Sequence, residues 1–486
     1  MQVEIQNVVD VCVIGAGPAG MKAAVRCAEA GASVTVIDEQ PRPGGQIYRS
    51  VRENGHPNGD VFGPDYLRGS ALVKAFNKAP IKHIAQATLW RIDEDNTVYW
   101  SQHGKAQKTV AKQIIIATGA IERSFPFSGW TLPGVMTAGA CQIMMKTSGL
   151  VPKQAVMVGT GPLLYLLAAQ MIDAGAPPKA IVDTQQSDNY VKAISYASNA
   201  WKGRKYLIKG LGLLAKLRKA GIKRYTGVTD IEAEGSDSVK RLNFQCGGKS
   251  ISLETETVLA HIGVIPNVQL TRAMGLDHYW DKLQVCWKPA LDENNMSSRQ
   301  GVYIAGDSGG IGGALVAELQ GELVAVNVLS ALSIGDSQHQ ISESATLKKS
   351  IQHELTVRPF LDTLYTPPKQ ALVPSDKTIV CRCEEVTAGQ IRQHAVDGAN
   401  GINQIKTFTR CGMGPCQGRY CGSTVAHIIS DKIGQSMEQV GYYRLRNPIK
   451  PLKLGELASL TPANKSFMKK YKSEGVNNER DPKTVH

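Results

Sequence analysis

A strand, a glycine turn and a helix, followed by a second strand, open this 486-residue chain and restrict its fold more than any other feature. The apolar run Val8–Ile14 is typical of a strand buried in a parallel sheet, and Gly15-Ala-Gly17-Pro-Ala-Gly20 follows it directly. Gly15 permits a tight turn, Gly17 lets the backbone approach a pyrophosphate, and Gly20 allows close helix–strand packing. Asp38 ends the second strand, where a carboxylate can hold ribose hydroxyls. This complete βαβ pattern predicts a dinucleotide site at the helix N-terminus, whose free N–H groups face the phosphates.

Two later segments extend the pattern. Residues 113–120 form a strand that ends in a small-residue turn, and residues 301–307 form another that ends in Gly-Asp. In this order the segments resemble the FAD-binding elements of the thioredoxin reductase and glutathione reductase class of flavoproteins. The resemblance implies that Asp307 binds the ribityl-pyrophosphate part of FAD and that Gly44-Gly45-Gln46 lies near the isoalloxazine ring. The FAD-binding candidates are Gly15, Gly17, Pro18, Ala19, Gly20, Asp38, Glu39, Gly45, Gln46, Thr118, Gly119, Gly306 and Asp307.

The resemblance extends over about residues 8–335, but the chain departs from the disulfide reductases of that class. Those enzymes carry a pair of cysteines near the flavin. Here Gly45-Gln-Ile-Tyr48 stands at one such place and the single Cys141 near the other. We therefore predict a flavoprotein that does not reduce disulfides.

An imperfect copy of the first pattern lies between residues 153 and 183. A strand leads into Gly159-Thr-Gly161-Pro-Leu-Leu164, and a second strand ends in Asp183. Leu164 replaces the third glycine, which pushes the helix away from the strand and alters the phosphate pocket. Two interpretations stay open: a site for NAD or for ADP/ATP, bound through Gly159, Gly161 and Asp183, or a domain kept for its packing. An insertion of about 40 residues, 187–227, follows and is rich in Tyr, Lys and Leu.

Half of the ten cysteines lie in residues 381–421. Clustered thiols in a chain without a secretory signal indicate a metal or an iron–sulfur cluster rather than disulfides. In the extended segment Cys381-Arg-Cys383 both thiolates face the same way and are expected to reach one metal centre. A [2Fe-2S] cluster needs four thiolates, as does a structural zinc site, and the spacing alone does not exclude Cys411 from either.

The cysteine segment resembles the bacterioferritin-associated-ferredoxin-type domain, whose pattern is Cys-x-Cys, about thirty residues and a close cysteine pair. Cys383 and Cys416 have 32 residues between them, whereas Cys383 and Cys411 have 27. The resemblance therefore implies Cys381, Cys383, Cys416 and Cys421 as ligands of a [2Fe-2S] cluster. The flanking Arg382, Arg410 and Arg419 either offset the negative charge of the thiolates or form solvated surface.

Together these features predict an α/β fold: a flavoprotein with two Rossmann-like dinucleotide-binding domains and a small α-rich C-terminal [2Fe-2S] domain. The predicted domains are an FAD-binding domain in two segments, a second nucleotide-binding-like domain, a helical linker, the [2Fe-2S] domain and a basic tail, at residues 1–150 with 266–335, 151–265, 336–375, 376–441 and 442–486.

The net charge of +13 does not by itself indicate a polyanionic partner. Residues 442–486 contribute ten Lys/Arg against four Asp/Glu, and no basic stripe with interleaved aromatic residues predicts nucleic-acid binding. No apolar run approaches the roughly 20 residues of a membrane span. The N-terminus lacks a basic region and a cleavage site, so we expect a cytoplasmic protein.

Nearly the whole chain, to about residue 460, resembles one family: the FAD and [2Fe-2S] subunit shared by opine (octopine or nopaline) oxidases, D-hydroxyproline dehydrogenases and the B subunit of hydrogen cyanide synthase. The matching pieces begin at Asp38 (Asp-Glu-Gln-Pro-x-Pro-Gly-Gly-Gln-Ile-Tyr), Leu132 (Leu-Pro-Gly-Val-Met), Cys381 (Cys-Arg-Cys-Glu), Gly412 (Gly-Met-Gly-Pro-Cys-Gln-Gly-Arg) and Pro448 (Pro-Ile-Lys-Pro-Leu-Lys-Leu-Gly).

This resemblance implies one subunit of a heteromeric dehydrogenase acting on CH–NH or CH–NH2 donors. A D-amino-acid-oxidase-like FAD subunit would oxidise the amine, and electrons would pass through this chain toward an acceptor. The further implied partner is a small ferredoxin-like subunit. No histidine, tyrosine or carboxylate marks a general base, so no catalytic residue is assigned. The alternatives are a self-contained NADH-dependent reductase that feeds a ferredoxin-like acceptor, and a non-enzymatic cluster scaffold.

Overall fold

The structure is a computed structural model that describes residues 8–51 and 59–460. Elements are numbered in chain order. The strands are β1 (Val8–Ile14), β2 (Val34–Ile37), β3 (Ile81–Ile84), β4 (Thr88–Ile92), β5 (Thr97–Gln102), β6 (Lys105–Ile116), β7 (Ala120–Glu122), β8 (Val135–Thr137), β9 (Val156–Gly159), β10 (Ala180–Asp183), β11 (Lys223–Tyr225), β12 (Thr229–Glu234), β13 (Arg241–Cys246), β14 (Lys249–Glu254), β15 (Val258–His261), β16 (Val264–Pro266), β17 (His278–Asp281), β18 (Cys286–Pro289), β19 (Val302–Ile304), β20 (Ile379–Cys381) and β21 (Val386–Thr387). The α-helices are α1 (Pro18–Glu29), α2 (Gly59–Phe62), α3 (Pro64–Leu67), α4 (Gly69–Lys78), α5 (Ala138–Ser148), α6 (Pro162–Asp173), α7 (Ser187–Ile194), α8 (Ala197–Lys202), α9 (Arg204–Lys219), α10 (Gln269–Ala273), α11 (Ala314–Ala331), α12 (Ser337–Leu355), α13 (Arg358–Leu364), α14 (Lys369–Leu372), α15 (Ala388–Val396), α16 (Ile402–Thr409), α17 (Gly422–Ile433), α18 (Met437–Val440) and α19 (Leu454–Ala458).

The first domain is built on a seven-stranded sheet. Strand β1 lies between β2 and β6 in parallel register, and β19 adds a further parallel strand on the C-terminal half of β6. Residues 11–14 of β1 are buried, because helices or loops cover both faces of a parallel sheet. Since β6 and β19 are parallel neighbours, the turns that follow them meet at one edge of the sheet, beside the turn that follows β1.

The second domain is a five-stranded parallel sheet in the order β11-β10-β9-β15-β8, joined to a three-stranded antiparallel meander of β12, β13 and β14. The sequence-based boundaries place residues 135–148 in the first domain. Strand β8 instead pairs in parallel with β15, and α5 packs on β8 and β15. This segment therefore belongs to the second sheet, because strand pairing rather than chain order determines its domain.

Helix α11 is the one helix in the described ranges that is long and apolar enough to cross a membrane, with 18 residues and a mean hydropathy of 1.3. Half of it is buried, and it packs between α1 and α12. Gly321 allows the contact with α1, because a Cβ there would lie 2.2 Å from the carbonyl oxygen of Ala19. These contacts are those of a core helix.

The C-terminal region packs α15, α16 and α17 around a core that also includes Trp280 and Trp287 from the β17–β18 hairpin. Thr387 caps α15 through a capping box with Gln390, which fixes where the helix begins.

The basic tail predicted from residue 442 does not begin there. Tyr443 is buried in the C-terminal core, and Ile449 is buried in the core beneath the first sheet. The Ile449 N–H donates to the carbonyl oxygen of Trp90, and Lys450 pairs with Glu39. The prediction of a tail relied on the net charge of this stretch and overlooked the apolar side chains that anchor it, Tyr443 and Ile449. Residues 461–486, the rest of the predicted tail, lie outside the described residues.

Candidate flavin and cluster sites

At two positions around the turn after β1, only glycine fits. Gly15 has a φ of +102°, and a Cβ there would lie 2.5 Å from the carbonyl oxygen of Ala117. A Cβ on Gly20 would lie 1.9 Å from the carbonyl oxygen of Gly15. Helix α1 begins at Pro18, and no side chain among the described residues caps it. Its first N–H groups therefore remain available to a phosphate.

Asp38 holds this turn together. One carboxylate oxygen accepts a hydrogen bond of 2.6 Å from the Ala16 N–H and the other accepts one of 2.6 Å from the Gln40 N–H. Burial raises the pKa of Asp38, although both N–H donors oppose that rise. The neighbouring Glu39 points to Lys450 at 2.8 Å. Asp38 therefore lies at the nucleotide turn, whereas Glu39 anchors the C-terminal segment.

The Gly44-Gly45 turn lies directly over the phosphate turn. The Gly44 N–H donates to the carbonyl oxygen of Ala16 at 2.8 Å, and a Cβ on Gly45 would lie 2.8 Å from the Cα of Gly17. Beneath it, the Lys146 ammonium donates to the carbonyl oxygens of Gln46 and Ile47, each at 2.9 Å. Burial lowers the pKa of Lys146 to about 7.

Lys146 was missed by sequence reasoning. The only signal for it was one charged residue in α5, which is otherwise uncharged.

The turns after β6 and β19 complete the site. Asp307 accepts hydrogen bonds from the N–H groups of Gly312 and Gly313, at 2.9 and 3.0 Å, just before α11 begins. A Cβ on Gly119 or Gly313 would meet nothing within 4 Å. The buried side-chain oxygen of Asn267 lacks a hydrogen-bond partner among the described residues.

Two helix N-termini, open glycine-lined space and an unpaired acceptor fit a bound dinucleotide such as FAD. Thr118 donates only a long hydrogen bond, 3.4 Å, to the carbonyl oxygen of Asn267, so its hydroxyl is also open to a ligand.

The second glycine turn is arranged differently. Asp183 is completely buried and accepts hydrogen bonds from the Tyr165 hydroxyl and from the Gln185 N–H. Burial raises the pKa of Asp183. A ribose would have to displace the Tyr165 hydroxyl to reach this carboxylate.

His261 closes the same turn from the other side. Its ring atoms would lie 3.3 Å from a Cβ on Gly161, and its carbonyl oxygen 1.7 Å from one on Gly159. Its Nδ1 lies 2.6 Å from a carboxylate oxygen of Glu122. The geometry favours a domain kept for packing over a standard NAD site.

All five cysteines of the C-terminal region come together in two groups. The sulfurs of Cys381, Cys411 and Cys421 are buried and lie within 4.8 Å of one another. The sulfurs of Cys383 and Cys416 lie 3.7 Å apart, nearer the surface. Cys381 and Cys383 do not face the same way, because β20 ends at Cys381 and the chain then turns.

The fifth thiol, Cys411, is not remote from the others. It is buried and accepts a hydrogen bond of 3.5 Å from the Tyr443 hydroxyl. Hydrogen bonds from Cys411 and Cys421 lower the pKa of Cys381, and the hydrogen bond to Cys381 raises the pKa of Cys411. Position alone therefore does not set Cys411 apart from the predicted ligands.

Two tyrosines explain three glycines in and after the cysteine loop. A Cβ on Gly412 would lie 2.5 Å from the Tyr443 ring, and one on Gly418 would lie 2.2 Å from it. A Cβ on Gly422 would lie 2.9 Å from the Tyr442 hydroxyl. The loop therefore wraps closely around both rings. Sequence reasoning placed these tyrosines in the tail and missed them.

Helix α10 connects the nucleotide site with the cysteine loop. It follows Asn267, whose N–H donates to the carbonyl oxygen of Gly119 at 3.0 Å. The Gln269 amide reaches the carbonyl oxygen of Cys416 at 3.4 Å. A narrow cavity between the two regions is lined by Gln269, Asn267, Arg419 and Tyr442 among others.

Arg272, on the same helix, is a half-buried cation. Its guanidinium lies 4.4 Å from the Trp287 ring centre and 5.1 Å from that of Tyr442. Two of its nitrogens are buried without a hydrogen-bond partner among the described residues, and burial lowers its pKa to about 10. An unpaired buried cation is costly, so a negative group nearby would stabilise it.

The arginines beside the ligands have different surroundings. Arg382 lies over the Trp130 ring at 5.2 Å, and Arg410 pairs with Glu384 at 3.0 Å while remaining exposed. The Nε of Arg419 is buried without a partner in the described part of the chain. Of these three arginines, Arg419 alone has, like Arg272, a buried guanidinium nitrogen without a hydrogen-bond partner in the described ranges.

Comparisons with known proteins agree with this geometry. The family model of pyridine nucleotide-disulphide oxidoreductases matches residues 9–321, and that of the sarcosine oxidase A3 domain matches residues 375–460. The second match includes the segment after residue 441, in agreement with its packing against the cysteine loop.

The opine oxidase A subunit of Agrobacterium tumefaciens is 41% identical, over 94% of this chain and 93% of that protein. Hydrogen cyanide synthase subunit HcnB of Pseudomonas protegens is 29% identical, over 90% of this chain and 95% of that protein. Among solved structures, L-proline dehydrogenase from P. horikoshii superimposes with a TM-score of 0.69 at 20% identity, over 93% of this chain and 79% of that one. The predicted Rossmann-like flavoprotein fold is confirmed, and the chain belongs to the family of opine oxidase A subunits within the pyridine nucleotide-disulphide oxidoreductases.

Proposed function

We propose that this chain is the FAD and [2Fe-2S] subunit of a heteromeric dehydrogenase that oxidises an amino-acid-derived amine. The observation that carries the proposal is that one short segment, Asn267 and the helix α10 that follows it, contacts both regions: Asn267 bonds to Gly119 at the dinucleotide site, and Gln269 bonds to Cys416 in the cysteine loop. A direct connection between the two sites suits electron relay. The relationship to the opine oxidase A subunit, at 41% identity, supports the substrate class.

Cys381, Cys383, Cys416 and Cys421 are the proposed cluster ligands. Each iron of a [2Fe-2S] cluster needs two thiolates. The pair Cys383 and Cys416, 3.7 Å apart, would hold one iron. Cys381 and Cys421 would hold the other, within the buried group. Cys411 would then stay a thiol hydrogen-bonded to Tyr443.

When bound, FAD would accept and release electrons in pairs, and the cluster would carry them one at a time. Together they would pass electrons from an amine-oxidising partner to an acceptor. Within this chain Asp38 and Asp307 hold the turns that receive the nucleotide. Lys146 fixes the backbone at Gln46 and Ile47. The positive charges of Arg272, which lies against Tyr442, and of Arg419, which lies within the cysteine loop, would offset the negative charge of the thiolates.

The proposed partners are a small ferredoxin-like subunit, together with a D-amino-acid-oxidase-like FAD subunit, in a cytoplasmic complex. Oxidation of the amine would take place on the D-amino-acid-oxidase-like partner. No residue of the present chain is proposed as a general base.

The alternative, a self-contained NADH reductase, is weakened by the second glycine turn. There Asp183 is occupied by Tyr165, and His261 lies against Gly161. The purified, FAD-loaded chain should be mixed anaerobically with NADH while the flavin absorbance is followed. We expect no rapid bleaching. Rapid bleaching by NADH alone would support the reductase and overturn the relay.

A further inference from the structure

The insertion at residues 187–227 forms three helices whose outer surface is both strongly basic and apolar. We call the outer surface of α7, α8 and α9 the insertion face. Residues 187–219 carry eight Lys/Arg and one Asp, a net charge of +7 out of +13 for the whole chain.

Large apolar side chains project from the insertion face. The exposed fractions of Val191, Ile194, Trp201, Ile208 and Leu211 are between 65% and 73%. Core packing does not need them, because the inward side of α9 is already filled by other residues, among them the buried Leu217. A group of exposed apolar residues of this size marks an interaction surface.

The pattern on α9 shows how charge and apolar surface are combined. Arg204, Ile208, Leu211 and Arg218 recur at helical spacing on its outer side, and all four are exposed. Two apolar side chains thus lie between basic ends. Beside them, α7, α8 and α13 enclose an open apolar groove of about 460 Å³ whose lining includes Trp201.

Only part of the charge is used within the chain. Lys205, Lys209 and Lys216 pair with acids on neighbouring elements. Five basic residues of the insertion face have no acidic partner among the described residues: Lys192, Lys202, Arg204, Arg218 and Lys219.

We propose that the insertion face docks this chain on an anionic lipid bilayer. Six of its eight basic residues are lysines. Lysine is depleted at protein–protein interfaces, whereas Lys and Arg beside Trp and Leu are typical of helices that lie in a membrane interface. Trp201 and its apolar neighbours enter the boundary between headgroups and acyl chains. The five free cations bind the anionic headgroups.

The test is vesicle sedimentation of the FAD-loaded chain with phosphatidylcholine vesicles, with and without phosphatidylglycerol. We expect binding only to the mixed vesicles, and its loss in high salt. Each basic side chain near an anionic surface contributes about fivefold to binding. Arg204→Glu with Arg218→Glu should therefore lower the partition by more than about twentyfold. Trp201→Ser with Ile208→Ser should also lower it, without changing the charge.

A matched control reverses two exposed lysines that lie elsewhere, Lys105 on β6 and Lys249 on β14. Lys105→Glu with Lys249→Glu changes the net charge by the same amount and should bind almost as the unmodified chain does. Flavin absorbance and the unfolding temperature verify that each variant is folded. The proposal is overturned if the unmodified chain does not sediment with the anionic vesicles. It is also overturned if the control pair loses as much binding as the Arg204 and Arg218 pair.

Discussion

The hydroxyl of Tyr443 donates a hydrogen bond to the sulfur of Cys411 over 3.5 Å, with both side chains buried. The charge pattern of the sequence assigned Tyr443 to a tail, but this residue packs in the core beside the cysteine loop. Cys411 consequently has a protein partner of its own that does not depend on a metal.

This contact leads to a prediction for the cluster ligands. Cys411→Ser should retain the electron paramagnetic resonance (EPR) signal of the reduced cluster, because a serine hydroxyl can still bond to Tyr443. Cys416→Ser should abolish the signal, since Cys383 would lose the thiol that lies 3.7 Å from its own. The opposite pattern would move Cys411 into the ligand set and remove Cys416 from it.

The Tyr443 ring should matter more than its hydroxyl. Tyr443→Phe loses one hydrogen bond, about 1 kcal/mol. Tyr443→Ala leaves a cavity where the ring packs against Gly412 and Gly418. Such a cavity typically lowers the free energy of unfolding by about 3–5 kcal/mol. Urea unfolding of the loaded protein measures both. Tyr279→Ala, at a half-exposed position on β17, is the control and should change stability little. Equal losses at Tyr279 and Tyr443 would contradict the packing argument.

Arg272 should raise the reduction potential of the cluster. As a half-buried cation without an acidic partner among the described residues, it should favour the more negative, reduced state. Arg272→Met should shift the potential downward, by about 59 mV for each tenfold loss of stabilisation of the reduced state. Arg272→Lys should restore most of it.

An EPR-monitored redox titration measures this shift. Arg410→Met provides the control, because Arg410 is exposed and paired with Glu384, and solvent screens its charge. An unchanged potential in Arg272→Met would show that this cation does not act on the cluster.

Lys146 should make stability depend on pH. Burial lowers its pKa from 10.5 to about 7 in the folded chain. Between these values the unfolded state binds more protons, so the free energy of unfolding should rise as pH increases from 7 toward 10.5. The full effect is on the order of a few kcal/mol. Lys146→Met should remove this slope, whereas Lys74→Met, on the exposed side of α4, should keep it.

The glycine turn after β1 was predictable because the contacts that shape it are local. Gly15 and Gly20 are required by contacts within one turn, and Asp38 follows at a fixed spacing. Asp183 has the same position in its own repeat, yet the Tyr165 hydroxyl occupies it. A spacing rule locates a carboxylate but not its tertiary partners.

The parts that were missed depend on contacts between distant segments. Cys381 and Cys383 point into different groups because the chain turns directly after β20, which an i, i+2 rule cannot foresee. Arg272 and Tyr442 meet only when the first domain and the cysteine loop pack together. Tyr443 and Ile449 were hidden by the basic residues around them.

The proposed electron relay requires that one chain holds both a flavin and a [2Fe-2S] cluster. The most direct test is to measure FAD, iron and zinc in the purified protein and to record its EPR spectrum after dithionite reduction. We expect two irons for each FAD and a reduced-cluster signal of about one spin per FAD. Zinc in place of iron, with no signal on reduction, would contradict the proposed relay.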